Sequence, residues 1–389
     1  MDKKTLEAQL SGDIFNTTED LTIGIEEEFQ LLDPNTLKLT NRFEDLMAAA
    51  PSDLKESMKG ELISSEIEMA TKKCYSLKEA RKDLMIKRSR LTDLALSLDI
   101  KLSATGAHPF SPWQEQQIID TPHYRLVEES LNYVAWRNNT FSFHVHLGVR
   151  DKERAIKLTD LFRNYLPALL ALSASSPFYE KRNTGLHSIR TQLFTKNFPR
   201  CGIPDIYGEW RHFSKYLKLL YSTNCISEYT QVWWSVRPHL NFGTVEIRIC
   251  DGQPDVEDTL ALSGLIQALG ARLLKAIDHH EDMPLLPRAL LEENCWRAIR
   301  YGISHKLVDF NKGIELDASE YLKQLLYWVE PQAASLDVLD ELGRIETILE
   351  NGNTASKQIA AYENGRSLYD IQRDMSAITM CCKNLMALD

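Results

Sequence analysis

Three consecutive carboxylates interrupt an apolar, strand-like run at residues 23–32, and this run constrains the fold more than any other part of the chain. It reads Ile-Gly-Ile-Glu-Glu-Glu-Phe-Gln-Leu-Leu. Successive side chains of a strand point to opposite faces, so Glu26 and Glu28 share one face while Glu27 points to a polar partner behind it. Two carboxylates about 7 Å apart on one face repel each other unless a cation or solvent intervenes. The run therefore indicates either a metal-binding strand, since Mg²⁺ prefers oxygen ligands, or a solvated edge strand.

The composition is that of a soluble globular protein with neither a nucleic-acid nor a membrane partner. The chain has 389 residues, of which 43% are hydrophobic and 26% charged, and its net charge is −10. This acidic balance disfavours nucleic acid, and no apolar run reaches the roughly 20 residues of a membrane span. The first residues lack the apolar segment of a secretion signal, and seven irregularly spaced cysteines fit reduced thiols. We therefore expect a cytoplasmic protein.

The chain reads as a single α+β domain over residues 1–389, because it contains no low-complexity linker, fixed-period repeat or break in composition. Residues 22–32 and 37–40 read as a hairpin around a Pro-Asn turn. Apolar periodicity and N-terminal Asp residues predict long helices, and the chain after residue 285 also reads as helical. The three long predicted helices are 76–98, 151–173 and 255–277.

A second alternating segment, residues 141–149, carries two histidines. Its odd positions are all apolar, whereas its even positions are Ser142, His144, His146 and Gly148. A strand with this pattern buries its odd side chains and presents both imidazoles on the other face. A buried histidine is often only hydrogen-bonded, but two on one face favour a metal or phosphate ligand, since histidine is the commonest metal ligand.

A third alternating segment, residues 233–251, combines a carboxylate with two arginines. Glu246 and Arg248 face away from the valine and isoleucine residues that alternate with them. The Asn-Phe-Gly turn at 241–243 places Arg237 on the partner strand of a hairpin. Alternatively, Glu246 and Arg248 could simply pair with each other at the surface, where an ion pair contributes little to stability. The combination also fits phosphoryl transfer, in which a carboxylate holds the metal and an arginine neutralises the moving phosphoryl group.

Further carboxylates lie at residues 61–71. Glu66 and Glu68 share a face if this segment is a strand, whereas Glu61 and Glu68 align if it is a helix, and in either case they could be surface charge. The chain has no zinc-finger cysteine spacing and no P-loop, GxGxxG or GxSxG motif. Carboxylates and arginines without a P-loop predict a nucleotide held through metal ions on an open sheet face.

Several motifs are spread in order over residues 22–302. They are TIGIEEEF at 22–29, FHVHLGV at 143–149, SSPF at 175–178, NTGL at 183–186, RTQLF at 190–194, FPRCGIP at 198–204, RP at 237–238, FGTVEIRICD at 242–251 and NCWRAIRYG at 294–302. With these motifs the sequence resembles the type 2 glutamate–cysteine ligase family, the carboxylate–amine ligases of the YbdK kind.

The resemblance implies a fold, a chemistry and a set of partners. The fold would be a glutamine-synthetase-like curved antiparallel sheet, forming a funnel with helices packed on the outside. Residues 22–302 would form the catalytic core and residues 303–389 a helical C-terminal part. The implied cofactors are ATP and Mg²⁺ or Mn²⁺. ATP would phosphorylate a small carboxylic acid, and an amine would attack the acyl phosphate to leave an amide; a homodimer is also implied.

By motif position, the resemblance also assigns roles to residues. Arg248 and Arg237 are the implied catalytic pair, with Arg248 stabilising the transferring phosphoryl group. Arg190 is similar to a position that binds phosphate or the substrate carboxylate, and His146 is a neighbour that faces the substrate. Glu61 is a weaker metal candidate. The implied metal ligands are Glu26, Glu28, Glu68, His144 and Glu246.

Two other functions fit the same residues. A metal-dependent amide hydrolase or phosphatase could use the carboxylate and histidine face to activate water without nucleotide. A binding or scaffolding role would need no chemistry. Departures from the family pattern at residues 136–143, His239 and residues 363–366 bear on substrate choice. The sequence therefore does not identify the acid or the amine, and it leaves open whether the protein joins glutamate to cysteine.

Overall fold

An antiparallel sheet of seven strands forms the centre of the molecule. The computed structural model describes residues 3–381, so the ends of the predicted domain, residues 1–2 and 382–389, lie outside the described residues. The strands are β1 Ile23–Leu32, β2 Met58–Lys59, β3 Glu66–Ala70, β4 Lys101–Ser103, β5 Phe143–Gly148, β6 Phe178–Tyr179, β7 Arg182–Asn183, β8 Cys201–Gly202, β9 Trp233–Trp234, β10 Val236–His239, β11 Thr244–Ile247, β12 Lys306–Asp309 and β13 Ile314–Asp317. The central sheet has the order β10-β11-β5-β1-β3-β2, and β4 pairs with the end of β1. The architecture is the α+β class that the sequence predicts.

Helices pack around this sheet. Their bounds are α1 Lys3–Ser11, α2 Phe43–Ala49, α3 Ser52–Lys55, α4 Leu77–Ser97, α5 Pro122–Leu131, α6 Tyr133–Trp136, α7 Lys152–Phe162, α8 Leu166–Ser173, α9 Ile189–Asn197, α10 Trp210–Ser222, α11 Val256–Asp278, α12 Arg288–Tyr301, α13 Ala318–Leu336, α14 Leu339–Asn351, α15 Thr354–Glu363 and α16 Leu368–Thr379. The helices predicted at 76–98 and 255–277 are α4 and α11, and each begins after a capping side chain, that of Ser76 or Asp255.

One face of the sheet is apolar and packs in the main core. Ile25 on β1, Val145 on β5 and Ile247 on β11 are fully buried there. α11 is apolar on nearly all sides because β5, α7, α13 and α14 enclose it. Among the helices of residues 3–381, α11 alone has the length and composition to cross a membrane, and most of that stretch is buried inside the protein. Its composition is that of a core helix.

The strand pairing aligns the charged side chains on the opposite face. Glu26 on β1 lies across from His144 on β5. On the other side of β1, Glu28 lies across from Glu68 on β3. Residues 66–70 thus form a strand and not a helix, because the extended conformation completes the β1 ladder that a helix would leave open.

Glu27 lies on the core face, as the alternation predicts. Its carboxylate accepts hydrogen bonds from Arg88 Nη1 at 3.2 Å and from Thr259 Oγ1 at 2.7 Å. Arg88 is itself fully buried, and its Nη2 donates to the carbonyl oxygens of Gln253 and Pro254. The polar partner expected behind the sheet is therefore confirmed as Arg88 on α4.

Two helical predictions are wrong in part. The helix predicted at 151–173 ends at Phe162 and resumes at Leu166 as α8, with a 3₁₀ turn between. Pro167 explains this break, because it lacks an N–H group and its ring clashes with the carbonyl of the fourth residue before it. The C-terminal part is not all helical either, since β12 and β13 form a hairpin at 306–317 whose turn uses Gly313 at a φ of +66°.

Candidate active site

A cavity of about 420 Å³ opens on the charged face of the sheet. It is lined by nearly all of the predicted site residues, with β1 at its centre. His146 is the exception, because its ring lies beside the cavity against His239 and Phe242. The predicted residues that line the cavity are Glu26, Glu28, Glu61, Glu68, His144, Arg190, Arg237, Glu246 and Arg248.

Glu26 is held between two imidazoles. Its carboxylate lies 3.3 Å from His144 Nδ1 and 3.4 Å from His146 Nε2. Burial alone would raise the pKa of Glu26, but His146 and His144 outweigh it and hold that pKa well below its usual range. Burial lowers the pKa of His144, so this ring favours the neutral form that a metal ligand needs.

Four carboxylates crowd the β3 end of the cavity. Oxygen atoms of Glu28, Glu61 and Glu68 lie within 4.8 Å of one another, and Glu66 is buried beside them. Burial and the neighbouring Glu26 raise the pKa of Glu68 to about 7. Burial and the adjacent carboxylates also raise the pKa values of Glu61 and Glu66 well above their usual range. Like charges at this density are unfavourable unless a cation or protons neutralise them.

This donor set fits divalent cations. Three groups of ligand atoms converge within 4.8 Å: Glu26 with Glu68 and His144; Glu26 with His146 and Glu246; and Glu28 with Glu61 and Glu68. Within residues 3–381, no hydrogen-bond donor reaches Glu66 Oε2, which is buried beside the third group and so lacks the partner that a buried carboxylate oxygen usually has. Two of these groups combine carboxylate oxygen with one imidazole and the third is all carboxylate, and such ligands suit hard divalent ions such as Mg²⁺ and Mn²⁺.

Glu246 on β11 is fixed by two arginines. Arg237 on β10 lies directly across the hairpin from it and donates from Nε at 2.6 Å and from Nη2 at 3.2 Å. Arg248 Nη1 donates to Oε1 of Glu246, the oxygen that also accepts from Arg237 Nη2. Burial would raise the pKa of Glu246, but Arg237 and Arg248 hold it well below its usual range. Glu246 is therefore ionised, as a metal ligand must be.

The two arginines differ in the donors they have left. The Nη1 of Arg237 donates to the carbonyl oxygens of Thr230 and Val232, so each of its three nitrogens donates to a partner. Arg248 has a buried Nε without a partner among the described residues. Arg248 therefore has more donor capacity for an anionic ligand than Arg237 has.

Arg190 reaches the cavity from α9. Its two Nη atoms donate to the carbonyl oxygens of Arg248 and Ile249, each at 3.1 Å, and Nη1 lies 3.5 Å from Asp251. Asp251 is fully buried and accepts a hydrogen bond from Ser176. These contacts connect α9 to the segment that carries Arg248.

Sequence reasoning missed three charged residues of the cavity, Lys59, Glu66 and Glu228. Lys59 on β2 lies across from Glu68, and its Nζ is 3.1 Å from Glu68 and 3.6 Å from Glu26. A strand of two residues has no alternation to detect, so no sequence pattern marks it. Glu66 was placed on the Glu68 face but not among the ligands, and only the packing of β3 against Glu28 brings it into the cluster.

A family model and curated relatives match this chain. The model described as glutamate-cysteine ligase family 2 matches residues 22–376. A protein of Solibacter usitatus named "putative glutamate–cysteine ligase 2" is 40% identical over 343 residues, covering 88% of this chain and 89% of its own. A protein of the same name from Sorangium cellulosum is 38% identical over 356 residues, covering 91% and 95%.

Solved structures share the fold. A bifunctional glutathione synthetase from Pasteurella multocida superposes with a TM-score of 0.70 at 15% identity, over 97% of this chain; the chain spans about half of that longer protein (54%). A glutamate–cysteine ligase from Francisella tularensis, crystallised with AMP, superposes with a TM-score of 0.68 at 14% identity, over 94% and 90% of the two chains. The chain therefore has the fold of these two ligases, in keeping with the antiparallel sheet and outer helices that the sequence predicts.

Proposed function

As a member of glutamate-cysteine ligase family 2, the chain is an ATP-dependent carboxylate–amine ligase, and we propose that the carboxylate-lined cavity is its amide-forming site. The observation that carries this assignment is the meeting, on one sheet face, of Glu26, Glu68 and His144 with the Arg237–Glu246–Arg248 group. The first set offers metal ligands and the second offers cationic donors, and phosphoryl transfer requires both.

A carboxylate is a poor electrophile, so it must be activated before an amine can attack it. An oxygen of the substrate carboxylate attacks the γ-phosphorus of ATP and ADP leaves, so one carboxylate oxygen becomes part of a phosphate leaving group. The amine nitrogen then bonds to the acyl carbon, phosphate departs and the nitrogen gives up a proton. A divalent ion held by these carboxylates would offset the negative charge of the phosphates and of the transferring phosphoryl group.

Each predicted residue has a role that its contacts support. We assign the metal ligands to Glu26, Glu28, Glu68, His144 and Glu246, with Glu61 and Glu66 completing the cluster around Glu28. The ion is Mg²⁺ or Mn²⁺ in this proposal, because both accept carboxylate-rich sites.

The three arginines have different proposed roles. Arg248 faces the phosphoryl group, since its Nε is free to donate. Arg237 orients Glu246, and Arg190 holds the Arg248 segment by its carbonyl oxygens while its own side chain lines the substrate cavity. His146 orients Glu26 beside the substrate.

The names of the relatives make glutamate and cysteine the first substrate pair to test. A small acid and a small amine suit a cavity of about 420 Å³. We also propose a cytoplasmic location, in keeping with six free thiols in the described part of the chain, and a homodimer, which light scattering after gel filtration will test.

Phosphate release tests the function. Purified protein with ATP and Mg²⁺ is crossed against panels of acids and amines that include glutamate and cysteine. We expect ADP and phosphate only where both an acid and an amine are present, with one amide formed per phosphate. Amide or phosphate-ester hydrolysis without nucleotide, and no turnover that depends on both substrates, would instead support the metal-dependent hydrolase.

A further inference from the structure

Lys59 already places a cation between two of the proposed metal ligands. It lies on β2 directly across from Glu68 on β3. Its Nζ is 3.1 Å from Glu68 Oε1 and 3.6 Å from Glu26 Oε1. Half of the Lys59 side chain is exposed (52%), whereas Glu26 and Glu68 are 12% and 6% exposed. The ammonium therefore reaches into a buried carboxylate pair from the rim of the cavity.

The carboxylates at the two ends of the cavity are neutralised by different kinds of cationic side chain. At the β11 end, Glu246 contacts the guanidinium group of Arg237, which is buried and held by several hydrogen bonds, and that of Arg248, whose side chain is 14% exposed. At the β3 end, Lys59 is the lysine that the described chain places within 4 Å of the carboxylates. A lysine ammonium on four flexible methylene groups moves far more readily than a planar guanidinium that is fixed on both sides.

Lys59 contacts one of the candidate groups of metal ligands. Glu26, Glu68 and His144 converge within 4.8 Å, and Lys59 contacts two of these three residues. An ammonium and a divalent cation on the same carboxylate pair repel each other and compete for oxygen lone pairs, so each weakens the binding of the other. Displacement of Lys59 by the metal ion removes this repulsion.

We propose that Lys59 is an internal counter-ion, which holds the Glu26–Glu68 pair before metal loading and is displaced when a divalent cation binds between them. This inference rests on the metal site assigned under the proposed function. Lys59 then acts as a positioning residue. It keeps the carboxylates together in the metal-free protein, and it lowers the apparent affinity of that site, because the metal must compete with it.

The test measures Mn²⁺ binding to nucleotide-free protein by the loss of the electron paramagnetic resonance signal of free Mn²⁺. Lys59→Met removes the competitor, so we expect the dissociation constant at the tightest site to fall about fivefold, the factor typical of a partly exposed ion pair. Lys59→Arg keeps the charge and pairs better with two carboxylates, so we expect weaker binding than in the unmodified protein.

Lys38→Met is the matched control. Lys38 has a similar exposure (45%) and a similar ion pair, 3.5 Å to Glu115, but it does not line the cavity. Lys38→Met changes the net charge by as much as Lys59→Met does but leaves the cavity intact, so we expect unchanged Mn²⁺ affinity. The order Met tighter than Lys and Lys tighter than Arg supports displacement. Equal affinity in the three proteins, or weaker binding by Lys59→Met, would overturn it.

Thermal unfolding gives a second readout. Without metal, Lys59→Met should melt below the unmodified protein, and saturating Mn²⁺ should raise its melting temperature by more than it raises that of the unmodified protein. If Lys59→Met does not fold, the Lys59→Arg comparison decides, since unchanged or tighter binding there contradicts displacement. Mn²⁺ binding without ligase turnover would refute the proposed function and leave this inference standing, whereas no Mn²⁺ binding by the unmodified protein would refute both.

Discussion

Glu27 and Glu28 are adjacent in sequence but lie on opposite faces of β1, so the same substitution should have opposite effects at the two positions. Glu27 contacts the buried Arg88 behind the sheet. Glu28 lines the cavity among other carboxylates. We predict that Glu27→Gln lowers stability and preserves turnover, whereas Glu28→Gln preserves stability and abolishes turnover.

The loss expected from Glu27→Gln follows from the burial of its partner. Arg88 is 0% exposed, and removing one member of a buried ion pair typically costs about 3–5 kcal/mol. The glutamine oxygen still accepts a hydrogen bond, and Arg88 keeps the carbonyl oxygens of Gln253 and Pro254. We therefore expect the lower end, about 3 kcal/mol. Since the entropy of unfolding is about 0.8 kcal/mol per kelvin for a chain of this length, the melting temperature should fall by roughly 4 °C.

Glu28→Gln should behave differently because it removes a like charge from a crowded group. Its carboxylate oxygens lie within 4.8 Å of those of Glu61 and Glu68. Neutralising it relieves repulsion, so the melting temperature of the metal-free protein should stay the same or rise. Turnover should fall to background because one proposed metal ligand is lost.

Calorimetry in the presence of a chelator, and phosphate release with Mg²⁺ at 25 °C, measure the two properties separately. Both variants are assayed well below their melting temperatures, so that unfolding does not enter the activity data. An unchanged melting temperature for Glu27→Gln, or loss of activity in folded Glu27→Gln equal to that of Glu28→Gln, would refute the assignment of faces.

Three further predictions concern the arginine, the metal and pH. Arg248→Lys should lower kcat by about 10²-fold, because the ammonium cannot donate as Nε and Nη1 do together; phosphate release at saturating substrates measures this, and an unchanged kcat contradicts the role. A chelator should abolish turnover and excess Mg²⁺ should restore it; turnover that survives exhaustive chelation contradicts the metal site. Burial lowers the pKa of His108 to about 3. Near pH 5 this residue is therefore protonated in the unfolded chain but neutral in the folded protein. Stability should therefore fall as the pH drops from 7 to 5, by about 2 kcal/mol from this residue. Urea unfolding should show a shallower fall for His108→Gln, and an equal fall would contradict the prediction.

The face of each strand was readable from sequence because a strand has a fixed period of two. The positions of Glu26, His144 and Glu246 follow from that period once the strands pair, and the structure places them across from one another or nearby. The alternation also separated Glu27 from Glu26 and Glu28, although it could not identify Arg88, which lies 61 residues further along on another element. The period of a strand predicts the face on which a side chain lies, but only the packing of the elements identifies the residue that it contacts.

Features without a period escaped the sequence analysis. Lys59 lies on a strand of two residues and therefore belongs to no pattern, whereas Glu61 was named as a weaker candidate but lies in a loop and not on a helix with Glu68. The free donors of Arg248 and the engaged donors of Arg237 depend on loop carbonyl oxygens that no local rule places. The break before Pro167 was readable, because proline cannot continue a helix beyond its first turn, yet strong apolar periodicity on both sides concealed it.

Isotope transfer tests the central claim most directly. The substrate acid is labelled with ¹⁸O in both oxygens of the reacting carboxylate, starting with glutamate, and is incubated with ATP, Mg²⁺ and the amine. If the carboxylate attacks the γ-phosphorus and the acyl phosphate then loses phosphate to the amine, each phosphate released carries one ¹⁸O atom. The phosphorus NMR signal will shift accordingly. Phosphate without ¹⁸O, released together with the amide, would contradict an acyl-phosphate ligase at this site.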